Sequence, residues 1–441
     1  MAQAGEGIAR YHKLLDQEKY RDLAWAEELQ DQMRRQKLTE SGRLLAPVLR
    51  PCFLSRRQLE TLTRVAEHIA SIIDSLEALA LESPPLLRRL HMLPAERMLA
   101  AVPPGCVRFS VTTRMDAYVQ NGSVSLQGFD GCKPAGFVYS DALADLFLKL
   151  PILKEFRNGC SVAKVGGSKP FVDAIFKAWR EFGGQNVPRV AIVELAQQFG
   201  SDATESYLFA ELLSRNSIPA QVVSPDRLEY TRGRLRAGDF EIDVVIRRLL
   251  TQELLARSDL SHALLLAYRD HAVCVVNSFR SEMAQRRDLF ALLTDEQVTA
   301  RLPLADQVLI RKFVPWTRVV ALKKTKYKDR EIDLPEFIRR EREQLVLRPN
   351  EDGGDQRTFV GVETNASEWD QALRVALRRP YVVQEQVPSV REKFPFFRYG
   401  DLQIRETEIA IHPHVFHGKL QGASATLAAG AMAPVLLLDS D

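Results

Sequence analysis

Between residues 189 and 277 short apolar strands recur with helical stretches between them, and this alternation constrains the chain more than any other feature. RVAIVEL (189–195) is a compact apolar run, and a helix follows from Ala203, with Ser201 or Asp202 placed to cap it. AQVVS (220–224), IDVVIRR (242–248) and HAVCVVN (271–277) are three further strands. Strand–helix–strand alternation requires crossover connections, which pair the strands in parallel and predict a Rossmann-like sheet. The loop after the first strand, AQQFGSD, lacks the G-x-G-x-x-G that lets a backbone approach a dinucleotide. That argues against a dehydrogenase.

Other segments have different periods. The first hundred residues read as helix. Ser55-Arg56-Arg57-Gln58 has the form of a capping box, behind which Leu59, Leu62, Val65, Ala66, Ile69, Ile72, Ile73, Leu76 and Leu79 make one buried stripe. Pro84-Pro85 ends that helix. The stretch before residue 40 is helical but heavily charged, suited to packing on the body or to contacting a protein partner. From Val107 the pattern becomes strand-like, and Asn121-Gly122 between two such runs predicts a hairpin. Ser140 is expected to cap the helix DALADLFLKL, and the glycine-bearing stretch from Pro151 to Pro170 reads as a linker. In the last third, QLVLR (344–348) and TFVGV (358–362) flank a Gly-Gly turn. A helix near 368–379 then leads into YVVQEQV (381–387), and RETEIAIHPHVF (405–416) reads as one or two strands.

Composition narrows the partners. A chain of 441 residues suggests two or three domains. Its 60 basic and 57 acidic residues leave a net charge of +3, too balanced for nucleic acid or an anionic membrane as the main partner. No run reaches the length of a membrane span, and the first residues have no signal-peptide character. Cys52, Cys106, Cys132, Cys160 and Cys274 are odd in number and widely spaced, which points to a reducing, cytoplasmic setting rather than a disulfide framework.

Two segments carry candidate chemistry. In LVLRPNEDGGDQRTFVG (345–361) a strand delivers Arg348, and a glycine loop can bring backbone N–H groups close to phosphate oxygens. In YVVQEQVP (381–388) a polar pair ends an apolar strand, where backbone groups can meet a purine edge.

Taken together and in this order, the two segments resemble the nucleotide-binding lobe of ATP-grasp enzymes. IDVVIRRLLTQELL (242–255), VCVVNSFRSEMAQRRDLFALLTDE (273–296) and EIDLPEFIRREREQLVLRPN (331–350) resemble the circularly permuted branch, which includes glutathionylspermidine-synthetase-like proteins. In that branch the metal-binding lobe comes first. TRMDAY (113–118) looks like its R-x-D strand, and SLQGFDGCKPAGFVYSD (125–141) like its E-x-N strand. The resemblance covers about residues 105 to 430. It implies an α/β permuted ATP-grasp fold with a Rossmann-like pre-ATP-grasp domain and a helical N-terminal region. The divisions expected are residues 1–104, 105–185, 186–278 and 279–441.

The activity it implies is ATP-dependent ligation of a carboxylate to an amine through an acyl phosphate, on small-molecule or peptide substrates, with ATP and Mg2+ as cofactors. Arg114 would face the transferring phosphate, and Asp116 and Asp130 would hold magnesium. Arg287, Arg348, Asn350, Gly353 and Gly354 would meet the phosphates, and Gln384, Glu385, Gln386 and Val387 would border the adenine. Several positions depart from the family pattern. Arginines stand at 287 and 348 where the family carries lysine, and a planar fork is no copy of a compact ammonium. Gly128 aligns with the E-x-N glutamate and Asp130 with its asparagine, while Asp355 and Arg357 replace glycines. A plain two-residue hairpin would set Gln127 opposite Asp116, whereas a one-residue bulge would set Gly128 there. The alternative reading is a catalytically degenerate homologue acting as a binding or scaffold subunit.

Other constellations have simpler readings. His412, His414 and His417 are expected on a core strand with polar partners rather than around zinc. The basic run LKKTKYKDR (322–330) is expected as a solvated loop over the nucleotide site. Lys164 and Lys169 lack P-loop spacing.

Overall fold

The computed structural model describes residues 2–108, 110–120, 122–195, 204–351 and 356–439. Helices α1 (Ala2–Leu15) and α2 (Ala24–Arg35) open the chain. The segment packs on the body, one of the two roles open to it. Tyr11, Leu29 and Met33 are buried, and the Tyr11 hydroxyl donates to Leu49 O at 2.6 Å.

Strand β1 (Cys52–Ser55) runs into α3 (Arg56–Glu82) through the expected capping box. Ser55 Oγ accepts from the Gln58 N–H at 3.3 Å, and Gln58 Oε1 accepts from the Ser55 N–H at 2.9 Å. Its stripe from Leu62 to Leu76 is buried, each such side chain contributing about 1.5–3 kcal/mol. After Ser83, Pro84 and Pro85 take the first positions of a separate short turn of helix, where their missing N–H groups cost little.

Strands β2 (Thr112–Gln120) and β3 (Ser123–Asp130) form the expected hairpin, with Gln120 opposite Ser123. Gly122 has φ of 78°, the left-handed region such a turn demands; Asn121 lies outside the described residues. Helix α4 (Phe137–Phe147) begins four residues before Asp141, where a helix capped by Ser140 would start. Burial of Phe137 and Val138 extends the helix toward its N-terminus. Ser140 therefore sits within it, with Oγ donating to Ala423 O at 3.1 Å.

The stretch 151–170 is not a linker. It contains the helix Pro151–Phe156 and β4 (Ser161–Lys164), which pairs with the last strand of the chain. The Gly166-Gly167 pair marks a close approach rather than a flexible joint. Asp141 reaches in to accept from the Gly167 and Ser168 N–H groups at 3.0 and 2.9 Å, and a Cβ on Gly166 would lie 2.8 Å from Asp141 Oδ1.

Strands β5 (Val190–Val193), β6 (Ala220–Val223), β7 (Val244–Arg247) and β8 (Cys274–Val276) form a wholly parallel sheet in the order β8-β7-β5-β6. The parallel pairing expected from the alternation is thus present. Ser201, Asp202 and most of the loop before them lie outside the described residues. Between β6 and β7 the chain adds an antiparallel ribbon, Glu229–Thr231, Arg234–Ala237 and Phe240–Ile242, that the alternation does not announce.

Helix α5 (Asp288–Leu293) precedes a second unit. Its strands are β9 (Thr317–Val319), a hairpin of β10 (Lys324–Tyr327) with β11 (Arg330–Asp333), β12 (Leu345–Pro349), β13 (Phe359–Val360) and β14 (Tyr381–Glu385). The sheet order is β9-β14-β12-β13, all antiparallel. Two helices, Leu334–Arg340 and Ala366–Ala376, supply Ile338, Trp369 and Leu373 to bury Leu345, Leu347 and Val383 on one face. Strand alternation leaves Val346, Arg348, Val382 and Gln384 for the other face. The basic run at 322–330 is mostly the β10–β11 hairpin rather than a loop.

The chain ends in β15 (Val390–Arg398), β16 (Asp401–Phe416), β17 (Lys419–Leu427) and β18 (Met432–Asp439). They complete an eight-stranded sheet whose main path is β1-β18-β17-β16-β2-β3, with β15 on β16 and β4 on β18. One long strand, β16, pairs with β15 over Asp401–Ile409 and with β2 from Ile411 onward. Passing one strand between two partners curls the sheet and sets β2 against the histidines of β16. Among the described residues no helix is long and apolar enough to cross a membrane.

Candidate functional site

The hairpin register decides which side chains meet. A bulge between Asp116 and Ala117 sets Asp116 opposite Gly128 and Arg114 opposite Asp130, and leaves Gln127 as the extra residue. Of the two registers open to the sequence, the bulged one is present. Arg114, Asp116 and Asp130 therefore share one face. Arg114 lies 3.6 Å from Asp116 Oδ1 and 3.7 Å from Asp130 Oδ2.

The facing strand adds a group that motif reading did not include. His414 stands opposite Arg114, so His412 falls beside Asp116. His412 Nδ1 and Asp116 Oδ1 are 2.7 Å apart, and its Nε2 meets Thr426 Oγ1 at 2.7 Å. Burial works to raise the Asp116 carboxyl, but the His412 hydrogen bond and the charges of Arg114 and Arg287 outweigh it. They hold the group well below the usual carboxylate range. The side chain is nonetheless 40% exposed, so solvent screens part of this pairing. His414 is buried, and desolvation followed by the Arg114 charge keeps it neutral, with Nε2 2.9 Å from Ser424 Oγ.

His417 Nε2 lies 3.1 Å from Ala174 O. His412 and His414 thus have the polar partners expected on a core strand, whereas His417 lies just past the end of β16, in the turn to β17 with φ of 46°. Among the described residues no group of three or more histidine, cysteine or carboxylate side chains is placed to hold a metal.

From the β12–β14 sheet, Arg348 reaches the bulge: its guanidinium is 3.1 Å from Gln127 Oε1 and 3.4 Å from Gln127 O. The extra residue of one sheet is thereby tied to the candidate phosphate strand of another. Arg287 donates to Pro349 O at 2.9 Å. Asn350 is committed at both ends of its amide: Oδ1 accepts from the Asp288 N–H at 2.7 Å and Nδ2 donates to Asp288 Oδ2 at 2.8 Å. It clasps the end of β12 to α5. Gly353 and Gly354 lie outside the described residues.

At the far end of β14, Gln384 is buried and donates to Thr317 Oγ1 at 3.1 Å. The Glu385 carboxylate takes the Tyr327 hydroxyl at 2.7 Å and the Trp316 N–H at 3.2 Å. The Glu385 and Gln386 N–H groups go to Trp316 O and Gln344 O at 2.9 and 2.8 Å. What remains is Gln386 Oε1, buried with no partner among the described residues. Beside it, Val387 N–H also lacks a partner among them. A buried unpaired acceptor is costly unless a ligand completes it. Both residues line a cavity of about 590 Å³ that also touches Ser125 of β3, Phe313 and Pro315.

The sites expected for magnesium and for ATP can be tested on these donors. Asp116 and Asp130 each spend one oxygen on the protein, Asp116 on His412 and Asp130 on the Cys132 and Lys133 N–H groups. Asp116 keeps its Oδ2, whereas Asp130 Oδ2 lies 3.7 Å from the Arg114 guanidinium; two hard oxygens on one face suit a single magnesium ion completed by water and phosphate once Arg114 turns to the phosphate. Gly128 supplies no third ligand. The orphan Gln386 acceptor and the Val387 N–H line the cavity of about 590 Å³, while Arg348 and Arg287 are not among its lining residues.

No family model matches this chain, and no curated protein matches its sequence. Solved structures do. A glutathione synthetase-like effector from Globodera pallida, in its apo form, shares 14% identity, with 97% of this chain and 98% of that chain aligned and a TM-score of 0.64. A putative gamma-glutamylcysteine synthetase from Methylobacillus flagellatus aligns over 87% of each chain at 10% identity and a TM-score of 0.42, too low to bear on the fold. The first likeness speaks to the fold alone. The mixed α/β architecture with its curled sheet is the fold this chain shares with that effector.

Proposed function

We propose that this chain binds ATP between the β2–β3 hairpin and the β12–β14 sheet and acts as a ligase of ATP-grasp type with a single magnesium ion. The observation that carries this reading is the buried, unpartnered Gln386 Oε1 beside the free Val387 N–H. An acceptor next to a donor complements the amino group and ring nitrogen of adenine. Arg348 and Arg287 supply positive charge for the phosphates, with Arg114 placed to face the group being transferred. Asp116 and Asp130 are the residues that would hold magnesium, which when bound offsets phosphate charge.

In this reading the chain order is that of the permuted branch, with the metal-bearing hairpin ahead of the nucleotide strands. The parallel sheet corresponds to its Rossmann-like pre-ATP-grasp domain, and the divisions fall at residues 1–104, 105–185, 186–278 and 279–441. The substrates are a carboxylate and an amine on small molecules or peptides, in the cytoplasm.

The test is displacement of a fluorescent ATP analogue. ATP should compete and GTP, whose purine edge reverses donor and acceptor, should not; equal competition by both removes the adenine assignment. A second reading, a degenerate homologue that binds nucleotide without ligating, is favoured by one observation. Asp116 is held by His412 and Arg114 and lies over Gly128, where a metal-bridging glutamate would otherwise project. Trapping acyl phosphates as hydroxamates with hydroxylamine, across a panel of carboxylates, separates the two: hydroxamate with ATP present supports ligation, and none supports the binding role.

A further inference from the structure

Outside the cleft, two cations sit side by side with nothing of opposite charge bound to them. Arg318 on β9 is 6% exposed. Its guanidinium donates only to neutral oxygens: Thr325 Oγ1 at 2.9 Å, Thr294 O and Thr294 Oγ1 at 3.0 Å, Thr317 O at 2.8 Å and Lys326 O at 3.3 Å. A buried guanidinium without a carboxylate is unusual, because desolvation of the charge goes uncompensated. Lys323, at the foot of the β10–β11 hairpin, makes no ion pair or side-chain hydrogen bond among the described residues. Burial, then the nearby charges of Arg89 and Arg318, push its ammonium below the usual lysine value. Burial likewise lowers Arg318.

Both side chains line two cavities that share Arg89, Arg318 and Lys323, of about 500 and 260 Å³. Six of the lining side chains are cationic and four are acidic. The acids are largely engaged: Asp295 pairs with Arg89 at 2.6 Å, Glu331 with Lys324 at 3.2 Å, and Asp288 is held by Asn350 and by His91. None of the residues assigned to the ATP cleft lines either cavity. Their volumes suit a small molecule, and a forked guanidinium beside an ammonium suits phosphate oxygens.

We infer that this cavity is a second anion site, built by Arg318, Lys323 and Arg89 for a phosphate-bearing small molecule. Its deep wall is Asp288, whose carboxylate takes Asn350 Nδ2 and whose neighbour is Arg287. Its outer wall is the hairpin whose Tyr327 hydroxyl bonds Glu385.

Calorimetric titration with inorganic pyrophosphate tests the site, with Lys323→Gln and Arg348→Ala compared with the unaltered protein. Binding should weaken at least tenfold in Lys323→Gln and persist in Arg348→Ala, which disables the cleft instead. Thermal melting without ligand checks that Lys323→Gln is folded, and Lys323→Arg should retain binding. Pyrophosphate binding that is absent, that survives Lys323→Gln intact, or that is lost with Arg348→Ala alone overturns the inference. Only the last two outcomes leave the ATP cleft supported. Failure of ATP itself to bind, with pyrophosphate still binding through Lys323, counts against the cleft and not against this site.

Discussion

The Asp116 carboxylate lies across the face of Gly128: a Cβ at position 128 would come 2.7 Å from Asp116 Oδ2. The bulge that leaves Gln127 unpaired puts these two residues opposite each other, and Asp116 uses the open space to reach His412. The hairpin's one glycine on this face thus determines both where the carboxylate points and which neighbour it pairs with.

Gly128→Ala should push the Asp116 carboxylate off His412 and lower stability by about 1–3 kcal/mol. Asp116→Ala relieves the same crowding. The double variant should therefore lose less than the two single losses added together, which urea denaturation of all three measures.

Because Asp116 is held below its ordinary value, its pairing contributes stability that is fully present above about pH 4 and is lost as pH falls further. Asp116→Asn should be less stable than the unaltered protein at neutral pH, with the gap closing in acid. A gap independent of pH would mean that the charge does not contribute.

His414 behaves differently, because its folded form resists protonation. The unfolded chain takes up a proton as pH drops through about 6.5, and stability then falls by up to about 1.4 kcal/mol per pH unit from this group. His414→Gln should flatten that part of the profile between pH 6.5 and 5, read by denaturant midpoints.

Arg50 is fully buried, bonded to Glu392 Oε2 at 2.9 Å and stacked 3.9 Å from the Phe394 ring centre. Arg50→Ala strands the carboxylate and opens a void, and should cost about 3–5 kcal/mol. Arg50→Met refills most of the volume and should cost less.

Local signals in the sequence were the ones that reported structure faithfully. The Ser55–Gln58 box, the α3 stripe, the β2–β3 turn and the parallel strands near 190–276 each depend on neighbouring residues, and each is present. Ser140 misled because the burial of Phe137 overrides a capping preference. The glycines before Pro170 misled because close backbone approach and flexibility call for the same residue. The site itself depends on pairings across long stretches of chain. His412 reaches Asp116 only because β16 lies beside β2, nearly three hundred residues apart, and Arg348 meets Gln127 only through a bulge whose register the sequence leaves open. The parity of His412 and His414 on one strand was visible, but not which strand they would face.

Calorimetric titration with ATP, with and without magnesium, tests the central claim most directly, run on the unaltered protein and on Arg348→Ala, Arg348→Lys and Asp116→Asn. The expected result is micromolar binding that requires magnesium, falls at least tenfold in Arg348→Ala and Asp116→Asn, and is kept in Arg348→Lys. No heat of binding, or binding that ignores both the metal and Arg348, would contradict it.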